Sequence, residues 1–436
     1  MNPLLSGYAP PSPLQRNSPI QSQSAHPAPG KAMAFRRRLL GLSATAAAGL
    51  RRSLATATSH PPWAMMSVEV EAVGAPRVDV RLAEPPQVSQ LCFPQHLVKT
   101  RGSPDPASGV LQKLAGVVRA VSGDGLLLLS YVDLRLRAPN GAEQEPTGFD
   151  PAHVPIVTRF VCNPVTRELS RLPDSICNPM GDLRCDGFMG LVTGANRGQG
   201  PPDRFALAVL QGNMMLRFLS ETGEWEIVEA SPCRLPLAWR MDLCPEAHAV
   251  GGRLWWVDLT WGAISADPFS DRPELSFVQL PTRSVLPAGA QGEDLASYRR
   301  VGVSEGRLRY VEVSQEEPFL ISSFVLDEEA GDWTLEHRVV LNKIWGPSMW
   351  IPLQMKGTTS IVLLDPLNAN VVYLMLMSQI VIVDLEREEV IESCAYSSDS
   401  YCIPCVLPPW LGQSRIPSAG TDSLCLILRL HSTSQF

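Results

Sequence analysis

The sequence predicts an all-β chain folded as a β-propeller of six or seven blades behind a disordered N-terminal tail. Three observations carry that expectation. Past position 67, apolar residues cluster in runs of four to eight bounded by Gly, Pro, Asn or Asp, the length and punctuation of strands and turns. No stretch there sustains a long, capped helical period, the nearest being the short segment Gln112 to Arg119. Turn-and-strand pieces also recur about every 50 residues, the length of a four-stranded blade. Two packed β domains are the alternative architecture.

The runs follow one another along the chain. Val68 to Val73 and Val78 to Leu82 alternate with the period of a half-exposed strand. Later runs are Gly125 to Tyr131, Val154 to Cys162, Gly187 to Val192, Phe205 to Leu210, Met214 to Leu219 and Trp225 to Glu229. Leu254 to Leu259, Leu275 to Leu280, Leu308 to Val313, Phe319 to Leu326 and Trp333 to Leu341 continue the pattern. Ser360 to Leu364, Val371 to Met375, Ile380 to Leu385 and Cys425 to Leu430 complete it. Asn163 to Pro173 reads as a strand end, a turn and a return strand, and Asp267 to Pro281 repeats that plan. In Glu221 to Ile227 and Asp327 to Leu335 an acidic turn with a Gly precedes a Trp. Gly251-Gly-Arg-Leu and Gly306-Arg-Leu are turns that enter strands bearing aromatics. The polar, Gly-rich segments Gly194 to Asp203 and Pro287 to Asp294 are expected at a rim, as contact surfaces.

The chain has 436 residues, 45% of them hydrophobic, enough for a large buried core. Its formal charge of −7 conceals an uneven division. Residues 1–68 hold seven basic residues and no Asp or Glu, so the remainder carries 30 basic against 44 acidic residues, or −14. Such a body repels phosphate backbones, and no basic stripe is interleaved with aromatics, so no nucleic-acid partner is expected. No window offers about 18 uninterrupted apolar residues, so no membrane-spanning helix is expected either.

Residues 1–32 are rich in Pro, Ser and Gln and are expected to be disordered. Residues 33–66 read as a presequence: Phe35, Leu39, Leu42, Ala46 and Leu50 share one helical face, while Arg36, Arg37, Arg38, Arg51 and Arg52 supply cationic charge. Import into a mitochondrion is the expectation, with a plastid as alternative and the cytoplasm or nucleus if the segment is not functional. The amphipathic part starts at Met33, which is a second candidate start. The propeller is then expected over 67–430. Ten scattered Cys, no Asn-X-Ser/Thr acceptor and no secretory apolar region agree with a reducing compartment.

Gly252-Arg-Leu-Trp-Trp-Val-Asp-Leu-Thr-Trp-Gly-Ala-Ile-Ser-Ala-Asp-Pro, continuing to Phe277-Val-Gln-Leu-Pro281, resembles the hallmark region of the plant, mainly grass, family built on domain of unknown function 1618. The similar region covers about 252–390, with weaker likeness over 120–410. The Asn163-Pro-Val-Thr turn and the Gly-Arg-Leu-Trp element also resemble the kelch-like domains that follow F-boxes. The resemblance implies a propeller-like binding fold without an assigned activity, and it transfers no catalytic residue. The N-terminal 66 residues lack the Leu-Pro and Trp signatures of an F-box.

Trp255, Trp256, Trp261 and Asp258 are the candidate partner contacts. Alternation along a strand sends Trp255 and Trp256 to opposite faces, one to the core and the other to a surface or channel. Cys402-Ile-Pro-Cys405 has redox or half-zinc spacing, but Pro404 and the Pro pair after it oppose the helix that a redox dithiol uses. Asp258, Asp267, Asp271 and Glu274 lack the spacing of a calcium loop and suit turns instead. No nucleophile elbow, phosphate-binding loop or dinucleotide fingerprint is present, and no metal or cofactor is expected. The resulting expectation is a non-enzymatic, protein-binding propeller. The rivals are an enzyme with carboxylates or His in the central channel, and an F-box-associated type of adaptor without its F-box.

Overall fold

The computed structural model describes residues 60–105, 109–137, 154–177, 181, 185–195, 201–231, 247–286, 295–315, 317–344, 359–396 and 401–417. The tail 1–32, the targeting arginines, the run Cys425 to Leu430, the segment 287–294 and positions 196–200 lie outside the described residues.

The fold is an all-β propeller with five antiparallel four-stranded blades. The first blade is β5 (Val110–Val121), β6 (Leu127–Arg137), β7 (Ile156–Cys162) and β8 (Leu169–Arg171). The second is β9 (Gly190–Gly194), β10 (Arg204–Gln211), β11 (Met214–Leu219) and β12 (Glu224–Glu229). The third is β13 (Ala247–Val250), β14 (Arg253–Asp258), β15 (Gly262–Ala266) and β16 (Ser276–Gln279). The fourth is β17 (Arg299–Ser304), β18 (Arg307–Val313), β19 (Leu320–Asp327) and β20 (Asp332–Val340). The fifth is β21 (Ser360–Leu364), β22 (Val371–Leu376), β23 (Gln379–Asp384) and β24 (Glu389–Ala395).

The expected six or seven blades are therefore not matched. A sixth sheet is present, but it is mixed and built from both ends of the described chain. It joins β1 (Trp63–Ser67), β2 (Glu71–Val73), β3 (Asp79–Arg81), β4 (Val88–Pro94) and β25 (Cys402–Val406). β1 pairs antiparallel with β25 and parallel with β4, and β4 pairs parallel with β2 and antiparallel with β3. Dividing chain length by a blade period overcounts, because residues 63–94 enter a sheet of another topology and long connections separate the blades.

Two further expectations change here. The fold begins before residue 67: Trp63, Ala64, Met65 and Met66 are buried in β1, so the proposed presequence cannot extend to residue 66. The helical candidate Gln112 to Arg119 is the middle of β5, paired along its length with β6. Gly116 explains why: it disfavours a helix interior, and any Cβ there would stand 2.3 Å from Tyr131 Cε1 and 2.6 Å from the Val70 carbonyl.

The core lies between neighbouring sheets, not inside one. Trp256 packs with Ala206 and Ala208 of the second blade, whereas Trp255 packs with Tyr310 and Trp333 of the fourth. Leu374 and Val381 of the fifth blade pack with Val311 and Ile321 of the fourth. Each sheet thus buries both faces, which is why its strands read as continuous apolar runs.

Turns repeat with the blades. Asn163, Asp327 and Asp384 each accept two backbone N–H groups on Oδ1, from residues two and three positions ahead. Each opens the turn between the third and fourth strand of its blade. Arg167, Gly331 and Glu388 take positive φ within these turns, as Gly223 does in the corresponding turn of the second blade. Asp267 caps the matching turn of the third blade through the Phe269 N–H at 2.8 Å, as the sequence predicts for a turn residue. Gly251 and Gly252 both have positive φ, the requirement of a tight two-residue hairpin between β13 and β14.

Candidate functional site

The first strands β5, β9, β13, β17 and β21, with β25, pack each beside the next and close a ring. They enclose a central cavity of about 490 Å³. Connections from first to second strand gather at one mouth. Thr193 Oγ1 donates to Asp124 Oδ2, the Glu305 N–H donates to the Pro366 carbonyl at 2.9 Å, and Ser304 Oγ donates to the Asp365 carbonyl at 2.6 Å. All six strands of the ring therefore run toward that mouth. Turns between third and fourth strands share its rim, because the strands within each blade are antiparallel. The opposite rim carries the second-to-third turns and the long connections between blades. Gly194 and Asp203, which flank the connection from β9 to β10, meet at the tight-turn mouth, where the Asp203 N–H donates to the Gly194 carbonyl at 3.1 Å.

The cavity wall is polar at its ends and apolar between them. Arg119, His248 and Arg300 lie toward the mouth of the long connections. Asp124 and Glu305 lie toward the tight-turn mouth, where Glu305 Oε1 accepts the Ala369 N–H at 3.4 Å. Val121, Val192, Ala249, Val301, Leu363 and Leu364 line the middle. Arg119 is held from behind: its Nε donates to Asp186 Oδ2 at 2.7 Å, while Arg159 Nε and Ser130 Oγ donate to Oδ1 at 2.9 and 2.6 Å. Among the described residues, no group of three His, Cys, Asp or Glu is placed to hold a metal ion.

The residues singled out from the sequence lie elsewhere. Trp255 and Trp256 are each 3% exposed and Asp258 is 1% exposed, so none of them presents a contact surface. Opposite facing of the two tryptophans holds, but both faces are interfaces between blades, and the surface or channel position expected for one of them is occupied by core. Trp256 Nε1 donates to the Phe188 carbonyl at 3.0 Å. Trp261 is also buried, its ring 4.4 Å from that of Phe277. Asp258 Oδ1 accepts the Thr260 N–H at 2.8 Å and its hydroxyl at 2.6 Å, the work of a turn residue.

Cys402 and Cys405 sit on β25 three residues apart and enter different clusters, Cys402 beside Trp63 and Tyr373, Cys405 beside Leu407 and Leu411. Three positions along a strand place side chains on opposite faces, so the two thiols do not form a dithiol pair. Burial pushes both up from the ordinary thiol range, away from the reactive thiolate.

Sequence reasoning missed the cavity because most of its strands carry no strong strand signal. β13, β17 and β25 are short and contain His, Arg, Gly, Cys and Pro. The one available signal was the pair of Gly-Arg-Leu turns, since each is preceded by a first strand.

Residues 256–373 match the family model described as protein of unknown function, DUF1618, which bears out the resemblance read from Gly252 to Pro281. The match runs from β14 to β22. No curated protein matches the chain. Among solved structures, a chain of the mitotic checkpoint complex is 8% identical, with 69% of this chain and 74% of that chain covered and a TM-score of 0.32. AztD from Citrobacter koseri is 12% identical, with 70% and 88% covered and a TM-score of 0.28. The Cps50 (Swd1) propeller domain of Myceliophteria thermophila is 11% identical, with 67% and 90% covered and a TM-score of 0.29. The architecture rests on the strand pairing itself. No helix among the described residues is long and apolar enough to cross a membrane.

Proposed function

We propose that the chain is a non-enzymatic, protein-binding propeller whose tight-turn rim receives a basic segment of a partner protein. The charge of that rim carries the reading. The five turns between third and fourth strands, 163–168, 220–224, 267–275, 327–332 and 384–389, hold fourteen Asp or Glu against Arg167, Arg272 and Arg387. Most of these side chains are exposed, Asp384 being buried and Glu168 and Asp267 half-buried. The opposite rim differs: its described turns 212–213, 259–261 and 377–378 carry no charge, and the described residues of 314–319 add Glu317 alone. One-sided charge of this size raises the local concentration of a cationic partner and speeds its encounter, in a salt-dependent way.

The test is affinity capture with the wild-type chain and with a variant carrying Glu221→Gln, Glu328→Gln, Glu329→Gln, Glu386→Gln and Glu388→Gln. The reading expects a defined protein retained by the wild type, eluted by moderate salt and lost from the variant. Equal retention by both, with unchanged circular dichroism, would sink it. Recovery of cullin-complex subunits would instead favour the adaptor reading.

The acid-free N-terminal stretch supports a proposal about address as well. Arg36, Arg37, Arg38, Arg51 and Arg52 supply the cationic face of a mitochondrial presequence, a plastid being the alternative. Two fluorescent fusions test it, one full-length and one starting at Thr58, where the compact unit that contains the propeller begins. Organelle signal from the longer fusion alone is expected. Diffuse signal from both would overturn the proposal.

A further inference from the structure

The central cavity is a second candidate site, chemically unlike the acidic rim. Its volume of about 490 Å³ falls in the range of about 300–1,000 Å³ that holds small ligands. Its middle is walled by aliphatic side chains, Val121, Val192, Ala249, Val301 and Leu363 among them. The ionisable groups at its ends are held by protein partners. Arg119 donates to Asp186, Asp124 accepts from Thr193, Glu305 accepts the Ala369 N–H, and His248 and Arg300 are engaged as well. Selection of a ligand therefore falls to the uncharged wall between them.

That wall has hydrogen-bonding capacity of its own, and it comes from the backbone. β13 and β17 enter β14 and β18 through the two-residue turns Gly251-Gly252 and Glu305-Gly306, whose φ angles are 59, 77, 52 and 73°. Such turns put the flanking pairs, Val250 with Arg253 and Ser304 with Arg307, in hydrogen-bonded register. Bonded and non-bonded pairs alternate along an antiparallel ladder. The N–H and C=O groups of Ala247, Ala249, Val301 and Val303 consequently point away from their own blades, toward the cavity that these residues line. Ala249 shows this directly. Its carbonyl oxygen stands 3.9 Å from the position a Cβ would take on Gly123, which belongs to the first blade. None of these peptide groups pairs with another described residue. Peptide groups drawn away from bulk water need a partner. Two neighbouring strand edges thus offer donors and acceptors beside an aliphatic wall.

We propose that this cavity binds an uncharged small molecule that carries an amide-like group on an apolar body. The amide donates to and accepts from the inward edges of β13 and β17, and the body lies along the belt that includes Val121, Val192 and Leu363. The site is independent of the rim proposed to hold a protein partner, so either can fail without the other.

Titration calorimetry on the full chain tests this with three probes of similar size: N-butylhexanamide, butyl hexanoate and sodium decanoate. The amide both donates and accepts, the ester only accepts, and decanoate carries a charge. The amide is expected to bind at one saturable site, about fivefold or more tightly than either of the others, because each of them leaves a polar group without its partner. Amide hydrogen exchange gives a second readout: N-butylhexanamide should slow exchange in segments 247–250 and 299–304. Gly302→Leu provides a filled cavity. A Cβ at Gly302 stands 3.4 Å from Leu364 Cδ1, an ordinary contact, and both residues line the cavity, so the longer side chain takes up ligand space. With circular dichroism unchanged, that variant should lose amide binding. No saturable binding to the folded wild type would leave the cavity to water and overturn the proposal. So would ester or decanoate binding as tight as that of the amide, binding without slowed exchange in the two segments, or unaltered binding by folded Gly302→Leu.

Discussion

Arg119 Nε donates to Asp186 Oδ2 at 2.7 Å, and through this contact the cavity wall is tied to a buried carboxylate between the first two blades. Asp186 has no side-chain exposure and also receives Arg159 and Ser130. Arg159 in turn lies over the Trp225 ring, 5.9 Å from its centroid. One acid therefore orders groups from β5, β6 and β7 against the connection that leads into β9.

Removing that acid takes away the buried carboxylate to which both Arg119 and the largely buried Arg159 donate. Asp186→Ala should lower unfolding stability by about 3–5 kcal/mol, the usual cost of breaking a buried ion pair from one side. Asp186→Asn should cost less, since the amide oxygen still accepts a hydrogen bond. Urea unfolding followed by tryptophan fluorescence measures both. An Asp186→Ala midpoint within error of the wild type would show that the network contributes nothing to stability.

Trp256 belongs to the hallmark region of the family match, yet its burial assigns it to the core. Trp256→Ala should cost about 3–5 kcal/mol through the cavity it leaves. Trp256→Phe keeps a ring in place but strands the Phe188 carbonyl, at a cost of about 1–2 kcal/mol. Both effects should appear in the denaturation midpoint. Partner capture by the folded fraction should remain at the wild-type level, and selective loss of capture would restore Trp256 as a contact residue.

The outer parts of the blades were legible in the sequence, and the ring around the cavity largely was not. Strands such as β10, β22 and β23 bury both faces and present unbroken apolar runs. Their turns are spelled out by Asn163, Asp327 and the Gly-Arg-Leu pieces, because caps and positive φ require particular residue types. First strands answer to a different need. Ala247-His-Ala-Val250 and Arg299 to Ser304 meet the central cavity, so small and charged residues interrupt their apolar pattern. The mixed sheet was hidden for another reason: β1 pairs with β25 across more than 300 residues, and no local pattern records such pairing. Trp255 and Trp256 were placed on opposite faces by alternation alone, but only the neighbouring blades reveal that both faces are interior.

Thiol chemistry offers a check on the blade packing. Cys162 and Cys405 are fully buried, and burial pushes Cys162 up to about 12 and Cys405 upward as well. Cys92 and Cys177 are half-buried. Native-state alkylation with iodoacetamide at pH 8, read by mass spectrometry, should modify Cys92 and Cys177 at least tenfold faster than Cys162 and Cys405. Unfolding in urea should abolish the difference. Rapid native labelling of Cys405 would contradict the packing of β25 against the first blade.

Asp365 supplies the pH dependence. It stands at the tight-turn mouth, where Oδ1 accepts the N–H groups of Leu367 and Asn368 at 2.8 and 3.0 Å. Burial pushes its carboxyl above the ordinary range; the two N–H groups oppose that effect, and the nearby Glu305 reinforces it. A carboxyl raised in the folded state binds its proton more tightly there than in the unfolded chain. Its favourable contribution is present below the unfolded-state pKa of about 3.9 and is lost as pH rises through the folded value. At pH 7 the charged group therefore weakens the fold relative to a neutral group of the same shape. Asp365→Asn keeps the acceptor for both N–H groups and removes the charge. The variant should unfold at higher urea concentration than the wild type at pH 7, by a margin on the order of 0.5 kcal/mol. That margin should shrink toward zero as pH falls below about 4, where the wild-type carboxyl is neutral in both states. A variant less stable than the wild type at pH 7, or a difference independent of pH, would mean that the carboxylate is net stabilising at this mouth of the cavity.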